Sequence, residues 1–145
     1  IGEVRSTRRI RTTKELADLV AEVIPRRYHP QKIHPATKTF LALRIAVNEE
    51  LKNLKETLEK VPSFLRKGGR LCIISFHSLE HKVVKEAFRR FSSDCICPSW
   101  FPQCLCGGGK KMMEVITRRP ITPSEEEKRD NPHSRSAQLR IAERV

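Results

Sequence analysis

The sequence predicts an α/β fold on a mainly parallel sheet, and three observations carry that prediction. A long apolar helical pattern runs into the turn Lys67-Gly68-Gly69. The apolar run Leu71-Cys72-Ile73-Ile74 follows it, and a further amphipathic helix starts at Ser78. Helix, glycine turn, buried strand and helix, in that order, is the alternation of a sheet whose strands are joined by helical crossovers.

Taken in order, Thr12 and Glu15 form a capping box ahead of Leu16, Leu19, Val20, Val23 and Ile24, which recur at helical spacing until Pro25 stops them. Residues 26–34 carry Arg26, Arg27, His29, Lys32 and His34 and read as an exposed basic loop, either solvated or placed for phosphate. Pro35 suits the first position of a long helix whose stripe Phe40, Leu43, Val47, Leu51, Leu54 and Leu58 faces the core until Pro62 ends it. Thr37, Arg44 and Asn48 fall on one flank of that stripe, a partly buried polar edge that makes Arg44 and Asn48 candidates for substrate contact.

The run 71–74 reads as a strand buried on both faces. Leu79, Val83, Val84, Ala87, Phe88 and Phe91 give the following helix its buried face, with Ser78 as the expected N-cap. Residues 113–117 and 138–142 read as two further strands, separated by a short helix from Pro123 with an acidic first turn, Glu125, Glu126 and Glu127.

Composition bounds what such a chain does. Its 145 residues suffice for one domain with a thin core, since 38% are hydrophobic. Twenty-nine Lys and Arg against 17 Asp and Glu leave a net charge of +12, which favours a polyanionic partner, nucleic acid first, because neutralising phosphates releases condensed counterions. No apolar run is long enough for a membrane span, and residues 1–11 lack the apolar centre of a signal peptide, so a cytosolic setting is expected. There the five Cys would be thiols or metal ligands. The chain opens at Ile1 rather than Met, which reads as the interior of a longer protein.

Three constellations could carry chemistry. Ser75-Phe76-His77-Ser78-Leu79-Glu80 lies where a strand ends and a helix begins, the edge at which α/β sheets collect ligands. A purely structural account also fits: Ser78 caps, Glu80 complements the helix dipole and His77 is a satisfied histidine. Cys95, Cys97, Cys104 and Cys106 form two C-x-C pairs that could hold one Zn²⁺, with Gly107, Gly108 and Gly109 turning the chain behind them; reduced thiols in a surface loop are the alternative. Ser134, Arg135 and Ser136, ahead of the last strand, suit phosphate or sugar contact, or are simply exposed.

Four blocks, 34–51 (HPATKTFLALRIAVNEEL), 68–80 (GGRLCIISFHSLE), 119–127 (RPITPSEEE) and 135–144 (RSAQLRIAER), stand in this order across almost the whole chain. Together they resemble the MraW-type, or ribosomal RNA small subunit methyltransferase H, family. The resemblance implies an S-adenosylmethionine-dependent methyltransferase that modifies the exocyclic N4 of a cytidine in the decoding region of 16S rRNA. It implies a class I Rossmann-like fold with a helical insert. Residues 1–34 would close that substrate-binding insert, and residues 35–145 would be the C-terminal half of the methyltransferase domain, with a Cys-rich loop at 95–109.

In the family, the Gly-rich loop for the methionine moiety, the acidic ribose ligand and an Asp-Leu-Gly motif precede the matched region. No cofactor-binding residue is therefore expected in this chain, which would be inactive alone. His81 stands where the family usually has Asp, and His133-Ser134 where Arg-Ala is usual. Methyl transfer to a cytosine amine asks a protein mainly to position and desolvate. The resemblance implies catalytic-crevice roles for Ser75, His77 and Ser78, and RNA contacts for Lys32, Lys38, Arg44, Asn48 and Arg135. Expected cofactors are S-adenosylmethionine and, at the cysteines, zinc. Expected partners are 16S rRNA or the small ribosomal subunit, with a homodimer as a further candidate and no membrane. The competing expectation is a truncated RNA-binding module with a zinc-stabilised Cys loop and no activity alone.

Overall fold

The computed structural model describes residues 1–31, 33–95, 97–98, 103–109 and 111–145. They form two compact units, Ile1–Glu50 and Leu51–Val145.

Every regular element in the first unit is helical. Helix α1 (Gly2–Thr7) is followed by α2 (Thr13–Val23), where Thr12 Oγ1 accepts from the Glu15 amide at 3.1 Å and the Glu15 carboxylate accepts from the Arg11 amide at 2.9 Å. The chain leaves α2 at Ile24, before Pro25, and makes a 3₁₀ turn at Arg26–Tyr28. Arg26, Arg27 and His34 are exposed, as the basic-loop reading expects.

The single long helix expected from Pro35 is instead two, α3 (Thr37–Val47) and α4 (Glu50–Phe64). Glu49 lies at φ 50° in the left-handed region, which ends the i to i−4 ladder. The Glu50 carboxylate clasps the break, taking the Arg44 guanidinium at 2.9 Å and the Asn48 amide at 3.1 Å. The apolar stripe accordingly divides: Val47 is 80% exposed and Leu43 44%, whereas Leu58 is 2% exposed. Arg44 and Asn48 are exposed too, not the partly buried edge predicted. Pro62, expected to stop the helix, sits buried in the last turn of α4, where the helix has few further backbone donors to lose.

The second unit holds the sheet. Gly68, at φ 79°, donates to Arg144 O at 2.8 Å, and Gly69 O accepts from Arg144 N at 2.8 Å, so the predicted turn is fastened to the last strand. A Cβ at Gly69 would lie 2.8 Å from Arg66 O, which explains the second glycine. Strands β1 (Arg70–Ser75), β2 (Met113–Val115) and β3 (Gln138–Arg144) form a three-stranded sheet in the order β1-β3-β2. Both pairings are antiparallel, with Leu71 opposite Ala142 and Val115 opposite Ala142.

This overturns the expected mainly parallel sheet for the described strands. β3 returns between β1 and β2 in the opposite sense, with Arg140 opposite Ile73 and Leu139 opposite Ile74. β1 is also not buried on both faces. Leu71 and Ile73 pack against the core, while Cys72 and Ile74 are exposed on the other face, Ile74 by 58%. Helix α5 (Ser78–Ser92) supplies the core residues Val84, Ala87, Phe88 and Phe91, which cluster with Leu58, Met113 and Ala142. Burying each phenylalanine contributes about 1.5–3 kcal/mol, so this pair anchors the unit. Helix α6 (Glu125–Asp130), capped by Ser124, leads into a 3₁₀ turn at Pro132–Ser136.

Candidate functional site

The carboxyl end of β1 and the first turn of α5 bring Ser75, His77, Glu80 and His81 together. Ser75, the last residue of β1, is 3% exposed. Its Oγ lies 2.6 Å from His81 Nδ1 and donates more weakly to Gln138 O at 3.5 Å. Burial, the largest influence, holds the His81 imidazole below its ordinary value; the Glu80 carboxylate pulls it back up, while His77 and Arg140 lower it further. His81 is thus a neutral ring around pH 7, able to share a proton with the serine hydroxyl.

His77, not Ser78, is the N-cap of α5. Its Nδ1 accepts from the Glu80 amide at 3.3 Å, and the Glu80 carboxylate returns the bond by accepting from the Phe76 amide at 2.8 Å and the His77 amide at 3.4 Å. The acceptor role of Nδ1 places the proton on Nε2. That atom is 3.4 Å from Glu80 Oε1 without hydrogen-bond geometry, so it is a buried donor with no bonded partner. Ser78 is freed from capping because imidazole reaches the amide that a serine hydroxyl would otherwise take; it sits exposed at the first helical position.

Of the three predicted catalytic residues, then, Ser75 is buried against His81, His77 closes a capping box, and Ser78 alone faces outward. The sequence reading missed His81 as the partner of Ser75. The signal was present, since His81 was one of the departures from the family pattern and lies on the first turn after the strand.

The predicted RNA-contact residues divide differently. Lys38 in α3 and Arg135 in the Pro132–Ser136 turn are exposed, and neither forms an ion pair among the described residues. Arg44 and Asn48 are both drawn onto Glu50. Ser134 is buried, which removes its hydroxyl from the phosphate-facing group. Lys32 lies outside the described residues.

The four cysteines do converge. Cys95 Sγ is 3.5 Å from Cys104 Sγ and 3.7 Å from Cys106 Sγ, and Cys104 and Cys106 are 3.4 Å apart. All four sulfurs, Cys97 included, lie within 4.8 Å of one another, and none is in a disulfide. The Cys97 backbone amide pulls the Cys95 thiol down, but neighbouring thiols, Cys104 and Cys106 foremost, outweigh it and push Cys95 up to about 12. A groove of about 660 Å³ runs beside this loop, lined by Lys55, Leu58, Glu59, Arg89 and Arg90.

The fold defines a mixed α/β protein with a small antiparallel sheet, and its polar cluster sits where β1 gives way to α5. Comparison with known proteins then gives the family. The family model described as the MraW methylase family matches residues 1–145. The chain is 51% identical over 145 residues to ribosomal RNA small subunit methyltransferase H of Caldicellulosiruptor bescii, covering all of the chain and 46% of that protein. It is 49% identical over 145 residues to the protein of the same name from a Geobacter species, covering all of the chain and 46% of the relative. With the Halothermothrix orenii protein of that name it shares 48% identity over 141 residues, 97% of the chain and 45% of the relative. The chain belongs to the MraW methylase family. It spans under half the length of the curated relatives it matches.

Proposed function

We propose that these residues form the substrate-side part of an S-adenosylmethionine-dependent methyltransferase that methylates N4 of a cytidine in the decoding region of 16S rRNA. The observation that carries this reading is identity of 48–51% along essentially the whole chain to proteins named for small-subunit ribosomal RNA methylation. The +12 charge and the exposed Lys38 and Arg135 are in keeping with an RNA partner. The small ribosomal subunit, in the cytoplasm, is the substrate this implies. A homodimer has no geometric feature in its support and forms no part of the proposal.

The residues present do not fit a grip on the cofactor. The Phe76 and His77 amides, just ahead of α5, are held by Glu80 and the Glu80 amide by His77, so the turn into this helix commits three amides to its own cap. We therefore assign cofactor binding to parts of the relatives' length that this chain does not span. Two further features support the reading of a part: Ile74, Phe76 and Leu79 are 58%, 53% and 47% exposed, and β1 pairs on one edge only among the described residues. Open apolar side chains gathered at the end of β1 and the start of α5 ordinarily pack against a further layer.

Within this reading Ser78 is the residue offered to the target cytidine, with Ser75, His81 and His77 holding the turn that presents it. The helices before Glu49, which contain the expected insert at 1–34, would carry the RNA approach through Lys38. The test is methyl transfer from labelled S-adenosylmethionine to small ribosomal subunits by the gene product containing these residues, followed by nucleoside mass spectrometry. Label in N4-methylcytidine of 16S rRNA is expected. Label on a ring carbon, on a ribose, or on large-subunit RNA overturns the proposal.

A further inference from the structure

We propose that Cys95, Cys97, Cys104 and Cys106 form a tetrahedral tetrathiolate site for one zinc ion, a structural centre independent of the methyltransfer reading. Four observations lead to it.

The first is sulfur geometry. A tetrahedron with Zn–S bonds of about 2.3 Å has edges of about 3.8 Å. Three of the Sγ separations are 3.4, 3.5 and 3.7 Å, and all four atoms fall within 4.8 Å of one another. Such spacing is too long for a disulfide, whose sulfurs lie about 2.05 Å apart. It is the spacing of atoms arranged about a common centre.

The second is how the chain reaches that arrangement. Cys95 follows directly on the end of α5, where Ser93 Oγ accepts from the Cys95 amide at 3.3 Å, and the Cys97 amide donates to Cys95 Sγ at 3.4 Å. After the second pair, Gly107, Gly108 and Gly109 all adopt positive φ, at 76°, 65° and 63°. Consecutive left-handed residues are accessible at low cost only to glycine, and here they turn the chain back towards β2 immediately after Cys106. Amide donation to a ligand sulfur beside a glycine-rich turn is how short metal knuckles stabilise thiolate charge.

The third is how little else holds the described residues of the loop. Its base is closed where the Met112 amide donates to Phe91 O at 2.8 Å. Between Ser93 and Lys111, however, no described residue is buried, and Leu105 is 72% exposed. Its described residues have neither burial nor regular structure to fix them, and a bound metal supplies a cross-link.

The fourth is the donor set. Four thiolates match the soft preference of zinc and leave no coordination position open for water or substrate, so the centre is structural and not catalytic. Binding converts four thiols to thiolates: each S–H bond breaks as a metal–sulfur bond forms, and up to four protons pass to buffer. No oxidant is involved. Cys72, exposed on the open face of β1, stands outside the cluster and serves as the internal control.

The test is metal content and coordination. Protein purified without chelator and under reducing conditions is expected to carry one zinc per chain by elemental analysis. Replacing zinc with cobalt is expected to give intense visible ligand-field bands with sulfur-to-cobalt charge transfer, the signature of tetrahedral thiolate ligation. Cys97→Ser and Cys104→Ser each lower retained zinc at least tenfold, and Cys72→Ser leaves it unchanged. If these variants fail to fold, cobalt titration of the unaltered chain still decides. Protein without metal that gives no thiolate charge-transfer band overturns the proposal, as does mass loss showing two disulfides among the four cysteines in reducing buffer.

Discussion

Ser75 Oγ and His81 Nδ1 stand 2.6 Å apart, tying the last residue of β1 to the first turn of α5 through a bond that is largely withdrawn from water. A buried hydroxyl that loses its partner keeps its desolvation cost. His81→Ala is therefore expected to destabilise by about 1–3 kcal/mol, and Ser75→Ala by a similar amount. Because each removes the same bond, the double variant should cost clearly less than the sum of the two. Urea unfolding of the four proteins measures this; strict additivity would show that the two side chains do not interact.

The same pair gives a pH dependence whose sign is fixed. Folding lowers the His81 pKa from its ordinary 6.5, chiefly by burial, so below that pH the unfolded chain binds more protons than the folded one. The contribution to stability is complete above pH 6.5 and is lost as pH falls through it towards the folded value. Thermal melts from pH 7.5 down to about 5 should show a steeper loss in the unaltered protein than in His81→Gln. Parallel curves would remove His81 from the titration.

His77 and Ser78 exchange the roles their residue types suggest. His77→Ala removes the cap and is expected to cost about 0.5–2 kcal/mol, with His77→Asn restoring most of it. Ser78→Ala should change stability by less than about 0.5 kcal/mol, as exposed substitutions usually do. In the complete methyltransferase, Ser78→Ala is expected to slow methyl transfer several-fold, the worth of one hydrogen bond of about 0.5–1.5 kcal/mol. Full activity together with unchanged stability would take Ser78 out of the substrate contact.

These reversals show where the sequence was legible. Apolar periodicity located α2, α5 and the β1 turn because each is decided by its own few residues: Thr12 with Glu15, Gly68 with Gly69, Phe88 with Phe91. It failed at Asn48 and Glu49, since a helix can break and resume in phase, leaving the stripe intact on paper while Val47 is exposed. It failed on strand direction because the pairing of β1 with β3 joins residues some seventy positions apart, as in Arg70 with Glu143, and four apolar residues in a row do not state their partner. The cap assignment failed because serine is the usual choice, while the Glu80 amide is reached here by His77 from one residue earlier. The sulfur cluster was visible as two C-x-C pairs, but whether the pairs meet depends on the path of the chain between them.

A cofactor prediction follows from the self-capped start of α5. With the Phe76 and His77 amides given to Glu80, this chain alone should bind S-adenosylmethionine negligibly in calorimetry. Stoichiometric binding would mean that these residues hold the cofactor after all.

RNA binding should divide the basic residues by what already engages them. Each phosphate neutralised contributes a slope of roughly −0.7 to −0.9 in log affinity against log salt, so affinity for small-subunit rRNA should fall steeply between 50 and 200 mM salt. Lys38→Ala and Arg135→Ala are each expected to reduce that slope by about one contact. Arg44→Ala should change it less, because Glu50 holds the guanidinium at 2.9 Å and any phosphate must compete with that carboxylate. Its effect should fall on stability instead, and modestly, at under about 1 kcal/mol for so exposed a pair. Filter binding across a salt series, run on all three variants, separates these outcomes. A flat profile for the unaltered chain would deny the basic surface its phosphate role. A larger slope change for Arg44→Ala than for Lys38→Ala would mean that the Glu50 clasp opens when RNA arrives.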